Sequence, residues 1–525
     1  MPLDNKFIFV AGNQPRCEIV VYDGDDKMAH AANLLQQEIE KITHVKVKIT
    51  DKAENISQVE IGTLSNSPEI RKVLEKDKIL SISGDLNLLL ASTASTHIFI
   101  PDDLGKQGFV IYKTSAGSGR LLLTGNTSQA CLYAVFALID RLHLEDDKLI
   151  VDKLNTRLLP TVNIPAFEYR SIATNIGGPD WLGHNQWVKE WGNQNEYDYR
   201  GFIDWLASHK INHLNLWLFN LAFGIAYDSP RFPECVNRHH PNVKNEFISD
   251  MIEYAHKRHI EIFVFVDFPD NWTAIVKAHP NLAGKNVDTA ALLHTEEEKW
   301  ETYQKYGEVS GERFRANSWV CASNPKTMEF WEEYWDELLD RYPGIDGIGG
   351  QFEEHRSYRC DCANCAKSFF QLQWKFFKRM SEIANQKNPD IKLWAYRSWG
   401  ARDILKNRDK LPQKLIWIDW GGQVQPFLVN KSTPRGDWYL YHRSREQWYE
   451  YGQKQSAMVC HQNGINGFQM RGFDGTLDEI KLWRAALTQA EVQLSMIGKL
   501  GAAVSLSNAL PITWGQIKDD KFIRH

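Results

Sequence analysis

From about Ala166 onward, short apolar runs alternate with amphipathic stretches at helical spacing, and this rhythm constrains the fold more than any other feature. Glu168–Ala173, His213–Leu218, Ile260–Asp267, Ile345–Gln351, Lys392–Arg397, Leu415–Asp419 and Ile465–Arg471 read as strands. Tyr199–Ser208, Glu246–Lys257, Thr327–Arg341 and Phe369–Gln386 read as helices between them. Apolar strands joined through helices require crossover connections and therefore a parallel sheet. Seven or eight such units predict an α/β fold with a (β/α)8 TIM barrel over residues 165–525, Ala502–Leu506 supplying the eighth strand. Leu477, Ile480, Trp483, Leu487, Ala490 and Leu494 share one helical face, so Asp474–Leu494 is read as a barrel helix rather than a sandwich strand.

Residues 1–160 carry a different pattern, that of a smaller α/β domain preceding the barrel. Cys17–Tyr22 is a short strand, and Met28, Ala32, Leu35, Ile39 and Ile42 form a helical stripe. Val45, Val47 and Ile49 alternate as a half-buried strand would. Phe109–Tyr112 and Leu121–Gly125 follow as strands, then a helix through Cys131, Val135, Leu138 and Leu142 with Thr127 or Ser128 as its cap. No titratable cluster appears there, which predicts a supporting role. All 19 Trp lie after position 180. Flat indole faces stack on sugar rings, although a large barrel core also uses them.

A formal net charge of −5 favours neither nucleic acid nor an anionic membrane as partner. No apolar run approaches the ~18 residues of a membrane span. Met1–Lys6 opens without the basic region and apolar run of a secretory signal, so a cytoplasmic location is expected unless a signal was removed. Eight cysteines in so long a chain do not make a disulfide framework. No phosphate-cradling glycine loop, nucleophile elbow or His-Glu-x-x-His helix occurs.

Barrel enzymes place their chemistry at the C-terminal strand ends. The polar groups there are Arg170, Asp267, Glu353, Glu354, Arg397, Asp419 and Arg471, with Trp272, Trp399 and Trp420 beside them. Converging carboxylates, arginines and aromatics suit glycoside chemistry, in which one carboxyl protonates the leaving oxygen and a second carboxylate stabilises charge at the anomeric carbon. Glu353 and Glu354 are the candidates for the acid, since a neighbouring like charge and partial burial raise one pKa. Asp267 and Asp419 are candidates for the second carboxylate. Arg170, Arg397, Arg471 and the three Trp are candidates for substrate binding.

Cys360, Cys362 and Cys365 offer three soft ligands within six residues, enough for three corners of a zinc tetrahedron. Cys321, or else His355, would be the fourth. A reduced cysteine turn and a local disulfide are the alternatives to a structural zinc. No cofactor is required for the glycoside chemistry itself.

Several of these segments, taken in order, resemble glycoside hydrolase family 20, the β-N-acetylhexosaminidase family. Phe167-Glu168-Tyr169-Arg170 resembles its first barrel strand, and Lys210–Trp217 its second. Asp267-Phe268-Pro269-Asp270-Asn271-Trp272 followed by His279–Ala283 is similar to its third-strand pattern, and Asn324–Phe330 with Ile348-Gly349-Gly350 to its approach to the catalytic strand end. Gly108–Ile111 and Leu132–Phe136 resemble the non-catalytic domain that precedes family 20 and family 67 barrels. The resemblance covers roughly residues 100–355. It implies that Arg170 contacts the sugar and that the acid stands at the end of the fourth strand. It also implies an Asp orienting a substrate acetamido group, but Gln351-Phe352 stands where the family has Asp-Glu, with Glu353-Glu354 directly after. The expected function is therefore an exo-acting, β-N-acetylhexosaminidase-like glycosidase with a carbohydrate substrate. An α-glucuronidase-like enzyme clamping a uronate between Arg170, Arg397 and Arg471, and a non-catalytic sugar-binding barrel, are the alternatives.

Overall fold

The computed structural model describes residues 6–22, 25–52, 57–77, 104–114, 119–152, 154, 161–163, 165, 168–174, 199–218, 225–233, 246–267, 273–285, 287, 320–351, 360–397, 415–420, 438–442 and 467–471. These fall into two compact units, one drawn from residues 6–22 and 35–165, the other from 25–34 and 168–471.

The first unit contains β1 (Phe7–Ala11), β2 (Gln14–Pro15), β3 (Cys17–Val21), β4 (Ile49–Thr50), β5 (Ser57–Thr63), β6 (Phe109–Lys113), β7 (Arg120–Gly125), β8 (His143–Glu145), β9 (Lys148–Val151) and β10 (Thr161–Asn163). They make two sheets, ordered β10-β6-β7-β5-β3-β4 and β2-β1-β9-β8. The larger is parallel from β7 to β4 and antiparallel at β6 and β10. The helix Ser128–Ile139 begins where the sequence puts its cap, with the Thr127 hydroxyl accepting from the Ala130 N–H at 3.2 Å. Alternation at Val45, Val47 and Ile49 predicts a longer strand than forms. Only Ile49–Thr50 pairs with β3, because the Gln36 side chain takes the Val47 carbonyl at 2.6 Å.

In the second unit eight parallel strands close on themselves. They are β11 (Tyr169–Thr174), β12 (His213–Leu218), β13 (Glu261–Asp267), β14 (Gly347–Gln351), β15 (Lys392–Arg397), β16 (Leu415–Trp420), β17 (Trp438–His442) and β18 (Gly467–Arg471). β18 pairs with β11 from Tyr169↔Gly467 to Ala173↔Arg471 and completes the ring. The strand assigned to Ala502–Leu506 from sequence is therefore not needed for closure. Trp438-Tyr439-Leu440-Tyr441-His442 fills the place between β16 and β18 instead, and Arg471 ends the eighth strand rather than the seventh. That run is aromatic rather than aliphatic, so a search for Val, Ile and Leu passes over it. Ala502–Leu506 and Asp474–Leu494 lie outside the described residues.

The described helices between strands are Tyr199–Ser208, Ile248–His256, Thr273–Ala278, Pro325–Arg341 and Ala363–Lys387. Two of them stop in the same way. Lys210 and His259 adopt φ of 61° and 57°, and the next residue, Ile211 or Ile260, returns its N–H to the carbonyl of Leu206 or Ala255. This left-handed cap satisfies the last helical carbonyls and drops a buried isoleucine into the core just before each strand. Asn212 and Asp346 then serve strand starts with their side chains. Asn212 accepts from the Arg170 N–H and donates to the Glu168 carbonyl, both at 2.7 Å. Asp346 accepts from the Ile262 N–H at 2.7 Å and from His256 Nε2 at 2.8 Å.

The N-terminal end of the barrel is plugged. Ring centroids of His213 and Phe263 are 4.7 Å apart, those of Phe263 and Trp394 4.5 Å, and those of Tyr169 and His213 4.9 Å. Phe263 and Trp394 stand on strands separated by β14, so they meet across the interior. They can do so because β14 offers no side chain there: a Cβ on Gly347 would lie 2.0 Å from Phe263 Cε1, and one on Gly349 2.3 Å from Trp394 Cβ. Below the rings, Glu261 accepts from His213 at 2.9 Å and from Lys392 at 2.5 Å. Burial pushes the Glu261 carboxyl up, but these two donors outweigh it and hold it at about 2. Burial also pushes His213 below its ordinary value, against the Glu261 carboxylate, which draws it upward.

Candidate active site and a four-cysteine cluster

With the floor filled, the open end of the barrel is where the strands finish, as in other barrels of this kind. The last residues of β13 to β16 are Asp267, Gln351, Arg397 and Trp420. Register places Asp267 opposite Gln351, Gln351 opposite Tyr396, and Arg397 opposite Asp419. Arg471 ends β18 opposite Ala173. The backbone thus brings Asp267, Arg397, Asp419, Trp420 and Arg471 to one end of the barrel. Glu353, Glu354, Trp272 and Trp399 lie outside the described residues, as does His355.

Arg170 does not join this group. It is the second residue of β11, near the plugged end, and its Nε donates to the Lys210 carbonyl at 2.7 Å. Tyr169 reaches the interior rings, so strand alternation turns Arg170 to the outer face. The sequence placed it on the correct strand but at the wrong end. That bond fastens β11 to the turn before β12.

The cysteines are drawn together. The sulfurs of Cys321, Cys360, Cys362 and Cys365 all lie within 4.8 Å of one another. Cys321 follows Val320, which bridges to Ala283, and its N–H donates to the Leu282 carbonyl at 2.7 Å. Cys362 is the N-cap of the helix Ala363–Lys387 and accepts from the Cys365 N–H at 3.4 Å. Cys360 Sγ accepts from the N–H groups of Lys285 at 3.2 Å and Cys362 at 3.4 Å. The Cys365 thiol beside Cys321 pulls the latter down to about 4, and the same hydrogen bond pushes Cys365 up. Ser323, which the sequence did not single out, sets its hydroxyl 3.2 Å from Cys321 Sγ and 3.3 Å from Cys362 Sγ. A Cys-x-Ser spacing before a helix is the only signal that would have found it.

A family model described as glycosyl hydrolase family 20, catalytic domain, matches residues 194–490. The chain belongs to glycoside hydrolase family 20. It is accordingly a glycosidase, and the matched span runs from just before the helix Tyr199–Ser208 past the last barrel strand. Solved structures agree on the fold. The exo-β-N-acetylglucosaminidase of Vibrio harveyi, in complex with N-acetylglucosamine, superposes with a TM-score of 0.58 at 12% identity, over 96% of this chain and 75% of that one. The β-N-acetylhexosaminidase of Bacteroides fragilis gives 0.51 at 16%, over 84% and 73%. The Flavobacterium johnsoniae chitobiase gives 0.51 at 11%, over 96% and 74%. No curated protein matches this family 20 chain in sequence.

Proposed function

We propose that this family 20 chain is an exo-acting β-N-acetylhexosaminidase whose reaction takes place at the C-terminal ends of a complete (β/α)8 barrel, with Glu353 or Glu354 as general acid. The observation that carries this reading is the end of β14. Gln351 closes that strand beside Asp267, so the two glutamates follow directly after the strand end on which the family's resemblance puts the acid. The acid protonates the glycosidic oxygen as the bond to the anomeric carbon breaks. The substrate's acetamido oxygen takes the vacated position, and water then opens the ring so formed. Gln351 is uncharged where the family has Asp, so the carboxylate that steadies the acetamido group falls to Asp267, which shares the inner face with Gln351 in the strand register. Arg471, on the same face of the ring as Tyr169 by register, is the arginine suited to hold sugar oxygens, and Trp272, Trp399 and Trp420 are the candidates for a stacking wall. No cofactor takes part in the chemistry.

The test is hydrolysis of aryl N-acetylglucosaminide, N-acetylgalactosaminide and glucuronide by the protein and its Glu353→Gln and Glu354→Gln variants. One variant should lose about 10²–10⁴-fold in rate on an N-acetylhexosaminide and the other little. Full activity in both would place the acid elsewhere, and cleavage of the uronide alone would replace the substrate reading.

A further inference from the structure

We propose that Cys321, Cys360, Cys362 and Cys365 form a tetrahedral four-thiolate zinc site that fastens the chain after the third barrel strand to the chain after the fourth. Zinc–thiolate bonds of ~2.3 Å in a regular tetrahedron set the sulfurs ~3.8 Å apart. Cys321 Sγ lies 3.8 Å from Cys362 Sγ and 3.9 Å from Cys365 Sγ, and no pair of the four exceeds 4.8 Å. A disulfide would need ~2.05 Å, and all four are free thiols. Among the described residues no other group of cysteine, histidine or acidic side chains meets so closely.

The surroundings suit a charged cluster. Zinc with four thiolates carries two net negative charges, its binding releasing the sulfurs' protons to solvent. Backbone N–H groups of Lys285, Cys362 and Cys365 all point at sulfur, and the Ser323 hydroxyl stands beside three of the four sulfurs. The N-terminus of the helix Ala363–Lys387 adds its positive end. Such outer donors stabilise metal-bound sulfur far more than a neutral thiol. Four soft ligands at tetrahedral spacing select zinc over the harder cations that prefer oxygen.

The site joins segments distant in sequence. Residues 282–285 are bonded to Cys321 and Cys360, and Cys321 is carried on the lead into the helix Pro325–Arg341. Residues 352–359, which include both candidate acids, then have each end held: Gln351 by the barrel and Cys360 by the metal.

Metal analysis of the full chain, purified from zinc-supplemented cells without chelator, should give about one zinc per chain. Organomercurial titration should release it to a colorimetric indicator. Cobalt exchanged into the site should show intense thiolate charge-transfer and tetrahedral d–d bands. Cys362→Ser should lose these bands and most of the metal. If that variant fails to fold, the stoichiometry and the cobalt spectrum of the unmodified chain still decide. A chain free of transition metal with four freely reactive thiols, a disulfide within the cluster by mass spectrometry, or iron as the only metal would each overturn the proposal.

Discussion

Replacing Gly347 by Ala puts the packing of the barrel floor to a direct test. The new Cβ would stand 2.0 Å from Phe263 Cε1 and 2.1 Å from Cδ1, against an ordinary carbon–carbon separation of ~3.5–4.0 Å. Ring or strand must therefore yield by about 1.5 Å. The ring has little room, since His213 and Trp394 lie 4.7 and 4.5 Å from its centre. Overpacking of this kind costs about 1–3 kcal/mol, and a ring wedged from two sides belongs at the upper end. Gly349→Ala should cost more, because its Cβ meets the Trp394 backbone carbonyl at 2.5 Å, which no rotamer relieves. Adding Phe263→Leu should recover part of the loss in Gly347→Ala and none in Gly349→Ala. Such coupling between touching residues is typically 0.5–3 kcal/mol. Tryptophan fluorescence during urea unfolding follows this change, since no Trp precedes position 181 and Trp394 is part of the stack. An unchanged midpoint for Gly347→Ala would refute the stacked interior.

Two further perturbations address the strand starts and the buried histidines. Asn212→Leu strands the buried N–H of Arg170 and the carbonyl of Glu168, at about 1–3 kcal/mol each, whereas Asn212→Asp keeps the acceptor and should recover part of the loss. Equal melting temperatures for the two variants would argue against that role. Burial, with Lys27 and His30 nearby acting in the same direction, pushes His259 down to about 3. The unfolded chain therefore takes up a proton below pH ~6.5 that the folded chain refuses, and stability falls with acidification from there to about pH 3, by up to ~1.4 kcal/mol per unit. His259→Asn suits the left-handed backbone and should flatten melting temperature against pH across that range. An unaltered slope would mean that His259 titrates freely in the folded protein.

The sequence was most readable where one face of an element is buried. The seven aliphatic strands could be placed by composition alone, and the structure shifts their bounds by a residue or two. Trp438–His442 was missed because five consecutive bulky residues show no contrast between apolar and polar faces. The antiparallel sheet β2-β1-β9-β8 was missed for another reason: its strands are short, and the pairing of β1 with β9 that joins its two hairpins spans more than a hundred residues. The position of Arg170 near the start of its strand was not legible, because a strand's composition does not tell which of its residues reaches the open end. Alternation from Tyr169 decides that, and Tyr169 could be oriented only once its ring was seen among His213 and Phe263. Gly347 and Gly349 were read within the strand Ile345–Gln351, but why glycine stands there became clear only once the register set them opposite Phe263 and Trp394. The cysteines were the most readable part of the site, because a Cys-x-Cys-x-x-Cys run keeps its sulfurs close in almost any backbone.

Closure of the ring through β11 and β18 has a consequence for synthesis of the chain. Arg170 pairs with Phe468, a separation of 298 positions. At ~5–20 residues per second on the ribosome, β11 waits roughly 15–60 s for its final neighbour. Throughout that interval the nascent sheet carries an open edge and an uncovered apolar lining, both prone to wrong pairing. Chaperone capture, or a slowly elongating stretch after the last strand, would matter most while β18 is emerging. A truncation before Gly467 should accordingly shift the product from folded barrel to aggregate, however many earlier strands it retains.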